Sequence, residues 1–332
     1  MNSKNVIYQT PEGPCTDFEF EFIDKVLLSK IPHQNYFDKN QLSLYLDSPI
    51  IVYSSDSFFI DKKFKKYINK LNQPILIHLS NESQWHTTFY YNKAQAVIRT
   101  ASWNIFTDGN VYSFPLGFQS GYLNKQNSVN YNNDRKYHWC FCGQVKSDRK
   151  TMLKNFTDIH PNFTFNNKGW LSNDSLSTHQ LIDIYKNSIF ALCPLGNINF
   201  ECFRTMEALE YGCIPVTTEF LGRDCYKYIY GDHPFIVAKD WADAKNQVLI
   251  LLTDQDALIK KQQEVWDWYT KFKIELSNDL YNIVNNDINN VKGKQFLYQK
   301  EVKSDFLFKL KFINHFFVKR VKKKLSEYIK LK

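Results

Sequence analysis

Short runs of apolar residues alternate along the chain with segments in which apolar positions recur every three or four residues. The runs have the length of buried β-strands, and the amphipathic segments have the period of an α-helix. The predicted strands are Ile50–Ser54, Ile75–Leu79, Ala96–Thr100, Val111–Phe114, Trp139–Gly143, Ile189–Cys193, Ile214–Thr217 and Phe235–Val237. The predicted helices between them are Asp61–Leu71, Asp148–Ile159, His179–Asn187 and Trp241–Leu252. This alternation predicts an α/β fold whose parallel sheets are covered by helices on both faces.

The polar segment Tyr122–Lys136, rich in Asn and Ser, divides the strands into two similar sets and is predicted to be a linker. A chain of 332 residues is also about twice as long as a typical domain. We therefore predict an N-terminal Rossmann-like domain over 1–125, a C-terminal Rossmann-like domain over 135–285, and a helical tail over 286–332. Ligands of such sheets bind at the carboxyl ends of the strands, so a cleft between the domains is the expected site.

Apolar positions from Leu258 to Ile283 predict one long helix after the last strand. Thr253 and Asp256 resemble a capping box at its start. One hypothesis is that this helix crosses back onto the first domain. The Asp-x-Asp sequence from Asp254 to Asp256 is interpreted as part of the cap rather than as a metal site.

The formal net charge of +8 belongs to the end of the chain. Residues 303–332 contain ten Lys or Arg and two Asp or Glu, whereas the other 302 residues contain 32 of each kind. A neutral body disfavours nucleic-acid binding, which requires basic residues spread over the fold. The charge pattern predicts a local anionic partner instead.

The tail has an amphipathic pattern. One helical stripe is apolar and consists of Phe306, Leu310, Ile313, Phe317, Val321, Leu325 and Tyr328; Lys309, Lys319, Arg320, Lys323 and Lys330 lie opposite. This pattern predicts binding of 303–332 to an anionic membrane surface, and a helix packed on the protein body is the alternative. The N-terminus has no signal-peptide pattern and no apolar stretch reaches membrane-spanning length, so we expect a cytoplasmic protein, peripheral on the inner face of the membrane. The seven cysteines are interpreted as buried free thiols.

The stretch 189–219 carries the candidate chemistry. It is predicted to form strand, loop, helix and strand, with Asn199 as the N-cap and Gly212 just past the end of the helix. A helix N-terminus offers N–H groups and a positive dipole to a diphosphate. Arg204 is a candidate phosphate ligand and Glu207 a candidate acceptor for two ribose hydroxyls. An internal Arg–Glu pair on an exposed helix is the alternative.

This stretch resembles the donor-site signature of the exostosin-like glycosyltransferases. It is closest to the branch of ribitol xylosyltransferase-like enzymes and bacterial capsule and lipopolysaccharide enzymes. The matching residues are Cys193-Pro194, Gly196, Glu201, Phe203-Arg204, Glu207-Ala208-Leu209, Gly212 and Ile214-Pro215-Val216. The segments Ile77–Glu82, Phe114–Phe118 and Phe141–Arg149 resemble the same branch in the same order. The chain departs from many members at Leu195, where they have Arg.

The resemblance implies a GT-B glycosyltransferase that binds a nucleoside-diphosphate sugar, with a UDP-sugar favoured, in its C-terminal half. It assigns the ribose to Glu207 and the diphosphate to Arg204, with Lys146 and Arg149 as further phosphate ligands. Glu201 would face the donor sugar, and the loop residues Gly196 and Asn197 belong to the same site. A helix dipole and cations stabilise a leaving diphosphate, so we expect neither a cofactor nor a metal.

An inverting transferase needs a base that accepts the proton of the acceptor hydroxyl. Glu82 and His86 follow a predicted strand of the first domain, Asp56 follows another, and Glu82 lies inside the resembling motif. Each of them is alternatively a capping or surface residue. The expected acceptor is a glycan or glycolipid precursor of a surface polysaccharide. A non-catalytic sugar-binding or scaffold protein of the same fold, a nucleic-acid or membrane-binding protein that acts through its tail, a sugar-phosphate transferase and a retaining enzyme are the alternatives.

Overall fold

Two parallel sheets organise the protein. The computed structural model describes residues 3–9, 15–37, 49–54, 66–79, 82, 91–100, 110–129, 131, 135–169, 172, 174–196, 199–287, 307–308, 310–315, 317–318 and 321. The first sheet contains β1 (Lys4–Gln9), β2 (His33–Tyr36), β3 (Ile50–Ser54), β4 (Ile75–Leu79), β5 (Ala96–Arg99) and β6 (Val111–Ser113), in the order β2-β1-β3-β4-β5-β6. The second contains β7 (Tyr137–Cys142), β8 (Asn162–Phe165), β9 (Ser188–Leu192), β10 (Ile214–Thr218) and β11 (Ile236–Ala238), in the order β11-β10-β9-β7-β8.

All strand pairs in both sheets are parallel. The α-helices described over their whole length are α1 (Cys15–Phe22), which continues into a π-helix over Ile23–Leu27, α2 (Asp148–Phe156), α3 (Thr178–Lys186), α4 (Phe203–Glu210), α5 (Lys227–Tyr230), α6 (Trp241–Thr253) and α7 (Gln255–Val284). Of the predicted helix Asp61–Leu71, residues 61–65 lie outside the described residues and 66–68 are helical. Apolar side chains are buried on both faces of the first sheet. The predicted α/β architecture with two Rossmann-like domains is confirmed, while the domain limits at 1–125, 135–285 and 286–332 stay predictions.

Three strands are absent from the sequence prediction: β1, β2 and β8. Strands β2 and β8 lie at the edges of their sheets and read HQNY and NFTF. An edge strand is only partly buried, so it needs few apolar residues and leaves a weak pattern. The eight predicted strands are all present: β3 and β4 have the predicted ends, and the ends of the others differ by one or two residues.

The long helix α7 crosses back onto the first domain, as hypothesised. The Gln95 side chain donates to the carbonyl of Ile283 at 3.1 Å, and Lys30 donates to the Asn278 side chain. The predicted cap at Thr253 is wrong. Thr253 is the last residue of α6, and the N-cap of α7 is Asp254, whose carboxylate accepts from the Ala257 N–H.

The described part of the segment Tyr122–Lys136 is hydrogen-bonded to the second domain. The Arg135 guanidinium is buried and donates to the carbonyls of Ser188 and Tyr211 at 2.6 and 3.0 Å. The Asn124 N–H donates to the carboxylate of Glu210 at 2.9 Å. The described part of this polar segment therefore contributes to the packing of the C-terminal sheet and its helices.

Candidate functional site

The candidate site lies where the order of the second sheet reverses. Strand β7 lies between β8 on one side and β9 on the other. The chain passes from β7 to β8 and then returns to β9, so the loops that follow β7 and β9 lead away from each other at the carboxyl ends of these two strands. Such a switch point is where open α/β sheets bind ligands. The loop after β7 begins with Gly143 and the loop after β9 with Cys193, so both lie in the stretches that the sequence singled out.

The loop between β9 and α4 is tightly closed. The Gly196 N–H donates to the Phe200 carbonyl at 3.4 Å, and a Cβ at Gly196 would lie 2.3 Å from the Glu201 carbonyl oxygen. Only glycine fits this position without movement of the backbone. Helix α4 begins at Phe203, and its N-cap residue, Cys202, makes no capping hydrogen bond with its side chain.

The predicted N-cap at Asn199 is therefore wrong. Its side-chain oxygen accepts from the N–H of Phe200 at 2.8 Å, inside the loop and three residues before the actual N-cap. Gly212 has a φ of +70° directly after the C-cap residue Tyr211, which agrees with its predicted place.

Arg204 is held by strand β7. Its guanidinium stacks 5.0 Å over the Phe141 ring and donates from Nε and Nη2 to the Cys142 carbonyl at 3.1 and 2.8 Å. A Cβ at Gly143 would lie 2.5 Å from Nη2, so the glycine makes room for this arrangement. Arg204 thus connects the start of α4 to the loop after β7, and its role toward a phosphate stays a prediction.

Arg149 links the same two loops from the other side. Its guanidinium donates to the carbonyls of Gln144 and Leu195 at 2.9 and 3.4 Å. Burial, together with the charge of Arg204, lowers the pKa of Arg149. Arg149 and Arg204 therefore place two positive charges beside the loops of one site, and positive charge favours an anion.

Glu207 lies one turn after Arg204 on α4 and is buried at the junction of the domains. The Tyr185 hydroxyl donates to its carboxylate at 3.4 Å, and a backbone hydrogen bond with Gln119 reaches it from the chain segment after β6. Burial raises the pKa of Glu207 to about 7, although Arg204 acts in the opposite direction.

Glu201 is only 2% exposed and bridges the two domains. One carboxylate oxygen accepts from the Leu116 N–H at 3.1 Å and from the Tyr230 hydroxyl at 3.0 Å. The other oxygen, Oε2, is buried and has no hydrogen-bond partner among the described residues. Burial raises the pKa of Glu201 to about 7 against these two donors, and Glu82 adds to the rise. A buried oxygen of this kind can accept one further hydrogen bond.

Glu82 comes from the first domain and interacts electrostatically with Glu201 and Lys146 of the second. Burial raises the pKa of the Glu82 carboxyl, and the charge of Lys146 opposes the rise. Glu82 and Lys146 are both half-buried. The structure therefore brings Glu82, Lys146 and Glu201 together across the cleft, beside the loops that carry Arg149, Gly196 and Arg204.

His86, Asp56 and Asn197 lie outside the described residues. Within the described ranges, no group of three His, Cys, Asp or Glu side chains is placed to hold a metal ion. Tyr185 and Tyr230 contact the buried carboxylates, and sequence reasoning missed both. Neither lies in a recognisable motif, whereas Leu116 lies in the segment Phe114–Phe118, which already resembled the family.

Comparisons with known proteins identify a family. The family model described as "RXYLT1 C-terminal domain" matches residues 119–288, just over half of the chain. Ribitol-5-phosphate xylosyltransferase 1 of Homo sapiens is 30% identical over 129 residues, which are 34% of this chain and 28% of that protein. Its counterpart in Mus musculus is 29% identical over 121 residues, which are 32% of this chain and 26% of that protein. The match thus spans about a quarter of the length of these relatives.

Solved structures share the architecture at low identity. Alr3699/HepE of Anabaena, solved with UDP and glucose, has a TM-score of 0.53 at 9% identity, covering 86% of this chain and 100% of that one. An O-GlcNAc transferase variant of Thermobaculum terrenum has a TM-score of 0.50 at 10% identity, covering 87% and 68%. These likenesses concern the fold, which is GT-B. On the family match and the GT-B fold together, the chain belongs to the RXYLT1 C-terminal domain family.

Proposed function

We propose that the protein is a glycosyltransferase that moves a sugar from a nucleoside-diphosphate sugar, with a UDP-sugar favoured, to a hydroxyl of a surface-glycan precursor. The observation that carries the proposal is Glu201, which joins the two domains at the switch point of the second sheet through Leu116 and Tyr230 and keeps a buried oxygen, Oε2, without a partner among the described residues. Glu82 and Lys146 interact with it electrostatically across the cleft. Family membership supports the same reaction type, since curated relatives are named xylosyltransferases. The expected acceptor is a glycan or glycolipid.

In this proposal the donor lies along the loops after β7 and β9. Glu207 accepts hydrogen bonds from the ribose hydroxyls, and Glu201 Oε2 accepts one from a hydroxyl of the transferred sugar. The diphosphate lies at the N-terminus of α4, beside Lys146. Arg204 and Arg149 contribute positive charge and fix the loops after β7 and β9 through their hydrogen bonds to carbonyl groups. The helix dipole and these cations stabilise the leaving diphosphate, so the reaction proceeds without a metal.

Glu82 is the proposed base. Its carboxylate accepts the proton of the acceptor hydroxyl while the oxygen attacks the anomeric carbon and the bond to the diphosphate breaks. The electron pair of that bond leaves with the nucleoside diphosphate, and the configuration inverts. A carboxyl whose pKa is raised by burial is better matched to proton transfer near neutral pH than an exposed one.

The test is turnover with a panel of sugar nucleotides, measured as release of the nucleoside diphosphate with and without a chelator. The wild type should hydrolyse one donor slowly, with or without chelator. Glu82→Gln should lower that rate by at least about 100-fold while the donor still binds. Glu264→Gln, a substitution of an exposed carboxylate on α7, is the matched control. Equal rates for Glu82→Gln and wild type would contradict the role of Glu82, and release from no donor would contradict the proposed reaction.

A further inference from the structure

The tail contains a helix that is fixed to the second domain on one side. Residues 307–308, 310–315, 317–318 and 321 are helical, and we refer to them as the tail helix. Phe308 and Phe312 are 2% and 1% exposed. Phe308 packs 6.2 Å from the Tyr228 ring, and the guanidinium of Arg223 lies 4.8 Å from it. These contacts fasten the tail helix to the chain segment after β10.

The opposite side of the tail helix is apolar and exposed. Ten large apolar side chains are exposed among the described residues, and six of them belong to this helix: Leu307, Leu310, Ile313, Phe317, Val318 and Val321. Leu310, Ile313, Phe317 and Val321 follow the three- and four-residue spacing of one helical face, half a turn away from Phe308. We call these four residues the outer stripe. The sequence-predicted apolar stripe is therefore exposed where it is described, and the helix docks through a second apolar face.

We propose that the outer stripe binds the surface of an anionic membrane. The segment that contains the outer stripe is complementary in charge to anionic lipid, because residues 303–332 carry the whole net charge of +8. Apolar side chains enter the headgroup region while basic residues attract anionic lipid, at about 1 kcal/mol for each Lys or Arg near the surface. A second copy of the chain is a poor occupant, since two segments of charge +8 repel each other.

The tail helix also lies close to the candidate site. His315 packs edge-on against Phe220 at 5.0 Å, and Phe220 lies 6.0 Å from Phe200, the residue before Glu201. The surface that contacts lipid is thus attached to the domain that holds Glu201 and Glu207. Among the described residues no helix is long and apolar enough to cross a bilayer. Adsorption would hold that domain at a fixed height above the lipid.

The test is sedimentation of the full chain with vesicles of phosphatidylcholine, with or without phosphatidylglycerol. The wild type should bind the anionic vesicles at least about tenfold more tightly than the neutral ones, and added salt should weaken binding. The variant Leu310→Ser, Ile313→Ser, Phe317→Ser should lose binding by at least about tenfold. Leu249→Ser, Ile250→Ser, Ile274→Ser, which removes three exposed apolar side chains from α6 and α7, should bind as the wild type does.

A second variant covers the case in which the serine substitutions unfold the tail. Replacing Lys322, Lys323 and Lys324 by Gln keeps the outer stripe and should weaken binding to anionic vesicles alone. The proposal is overturned if the wild type binds no vesicles, if the outer-stripe variant binds like the wild type, or if the control variant loses binding equally. A wild-type dimer in light scattering that the outer-stripe variant abolishes would overturn it in favour of a second copy.

Discussion

At the scale of single residues, Gly196 controls the shape of the site. A Cβ at this position would lie 2.3 Å from the Glu201 carbonyl oxygen and 2.8 Å from that of Asn199. Both obstacles are backbone atoms, which cannot rotate away as a side chain does. The loop must therefore open if any side chain is introduced, and opening displaces Glu201.

We expect Gly196→Ala to weaken nucleotide binding by at least about tenfold and to lower the melting temperature by a few degrees. Gly169→Ala is the matched control, because a Cβ there meets nothing within 4 Å. Calorimetric titration and thermal unfolding measure both effects. If Gly196→Ala binds nucleotide as tightly as Gly169→Ala does, the tight loop is not part of the site.

The sequence predicted which residues of α4 are important but not what they contact. Arg204 and Glu207 were identified from a local motif, and both lie on the helix that follows β9 at the switch point of the second sheet. The partners of Arg204 are Phe141 and the Cys142 carbonyl, on a strand more than 60 positions earlier in the chain. Contacts over such a separation depend on the packing of β7 against α4, for which a single sequence contains no direct signal.

At the scale of elements, Glu210 joins three parts of the chain. This fully buried carboxylate accepts from the Tyr269 hydroxyl at 2.6 Å and from Lys273 at 2.8 Å, both on α7. It also accepts from the Asn124 N–H. The Glu210 carboxylate therefore connects helix α4 to helix α7 and to the segment after β6. The hydrogen bonds from these donors offset the cost of burying its charge.

We expect Tyr269→Phe to lower the free energy of unfolding by about 1.5–3 kcal/mol, since it removes a hydrogen bond to a buried charge. Tyr281→Phe on the same helix is the control, because no hydrogen bond of its hydroxyl is seen among the described residues. Denaturant unfolding measures the difference. Equal stability of the two variants would show that Glu210 is satisfied without Tyr269.

Helices were predicted more accurately than caps. The apolar spacing located α7 to within a few residues, because a long amphipathic face leaves a strong periodic signal. The cap was misplaced by one residue: Thr253 is the end of α6 and only Asp254 separates the two helices. A cap depends on the backbone geometry of one or two residues, and the neighbouring Thr and Asp are both suitable cap residues.

At the scale of the whole molecule, two carboxyl groups are buried at the junction of the domains. Burial raises the pKa of both Glu201 and Glu207 to about 7. In the unfolded chain a Glu loses its proton near pH 4.3. Between these values the unfolded state holds fewer protons than the folded state, so the free energy of unfolding falls as the pH rises from about 4 to about 7.

We expect the double variant Glu201→Gln, Glu207→Gln to reduce this fall. The free energy of unfolding of the variant minus that of the wild type should be larger at pH 8 than at pH 5, by an amount on the order of a few kcal/mol, because an amide does not ionise. Acidic groups that do not interact with Glu201 or Glu207 contribute equally to both proteins and cancel in the comparison. A difference in free energy of unfolding between the two proteins that stays constant from pH 5 to pH 8 would contradict the raised pKa values.

The arrangement of the two domains could be predicted only in outline. Two sets of strands on either side of residues 122–136 indicated two Rossmann-like units and a cleft. The interaction of Glu82 with Lys146 and Glu201 depends on how the units pack, and α7 contributes to that packing through its contacts with the first domain. The tail helix was also predicted only in outline. The sequence pattern indicated one apolar stripe, and the burial of Phe308 and Phe312 shows that a second apolar face packs on the protein body.

The most direct test of the central claim is a calorimetric titration of the full chain with UDP, GDP, CDP, CMP and ADP in the absence of added metal. The account predicts micromolar binding of one nucleotide, with UDP favoured, a loss of at least about tenfold in Glu207→Gln, and no change in Glu264→Gln. Binding of none of the five, or equal binding by Glu207→Gln and wild type, would contradict a donor site at the switch point of the second sheet.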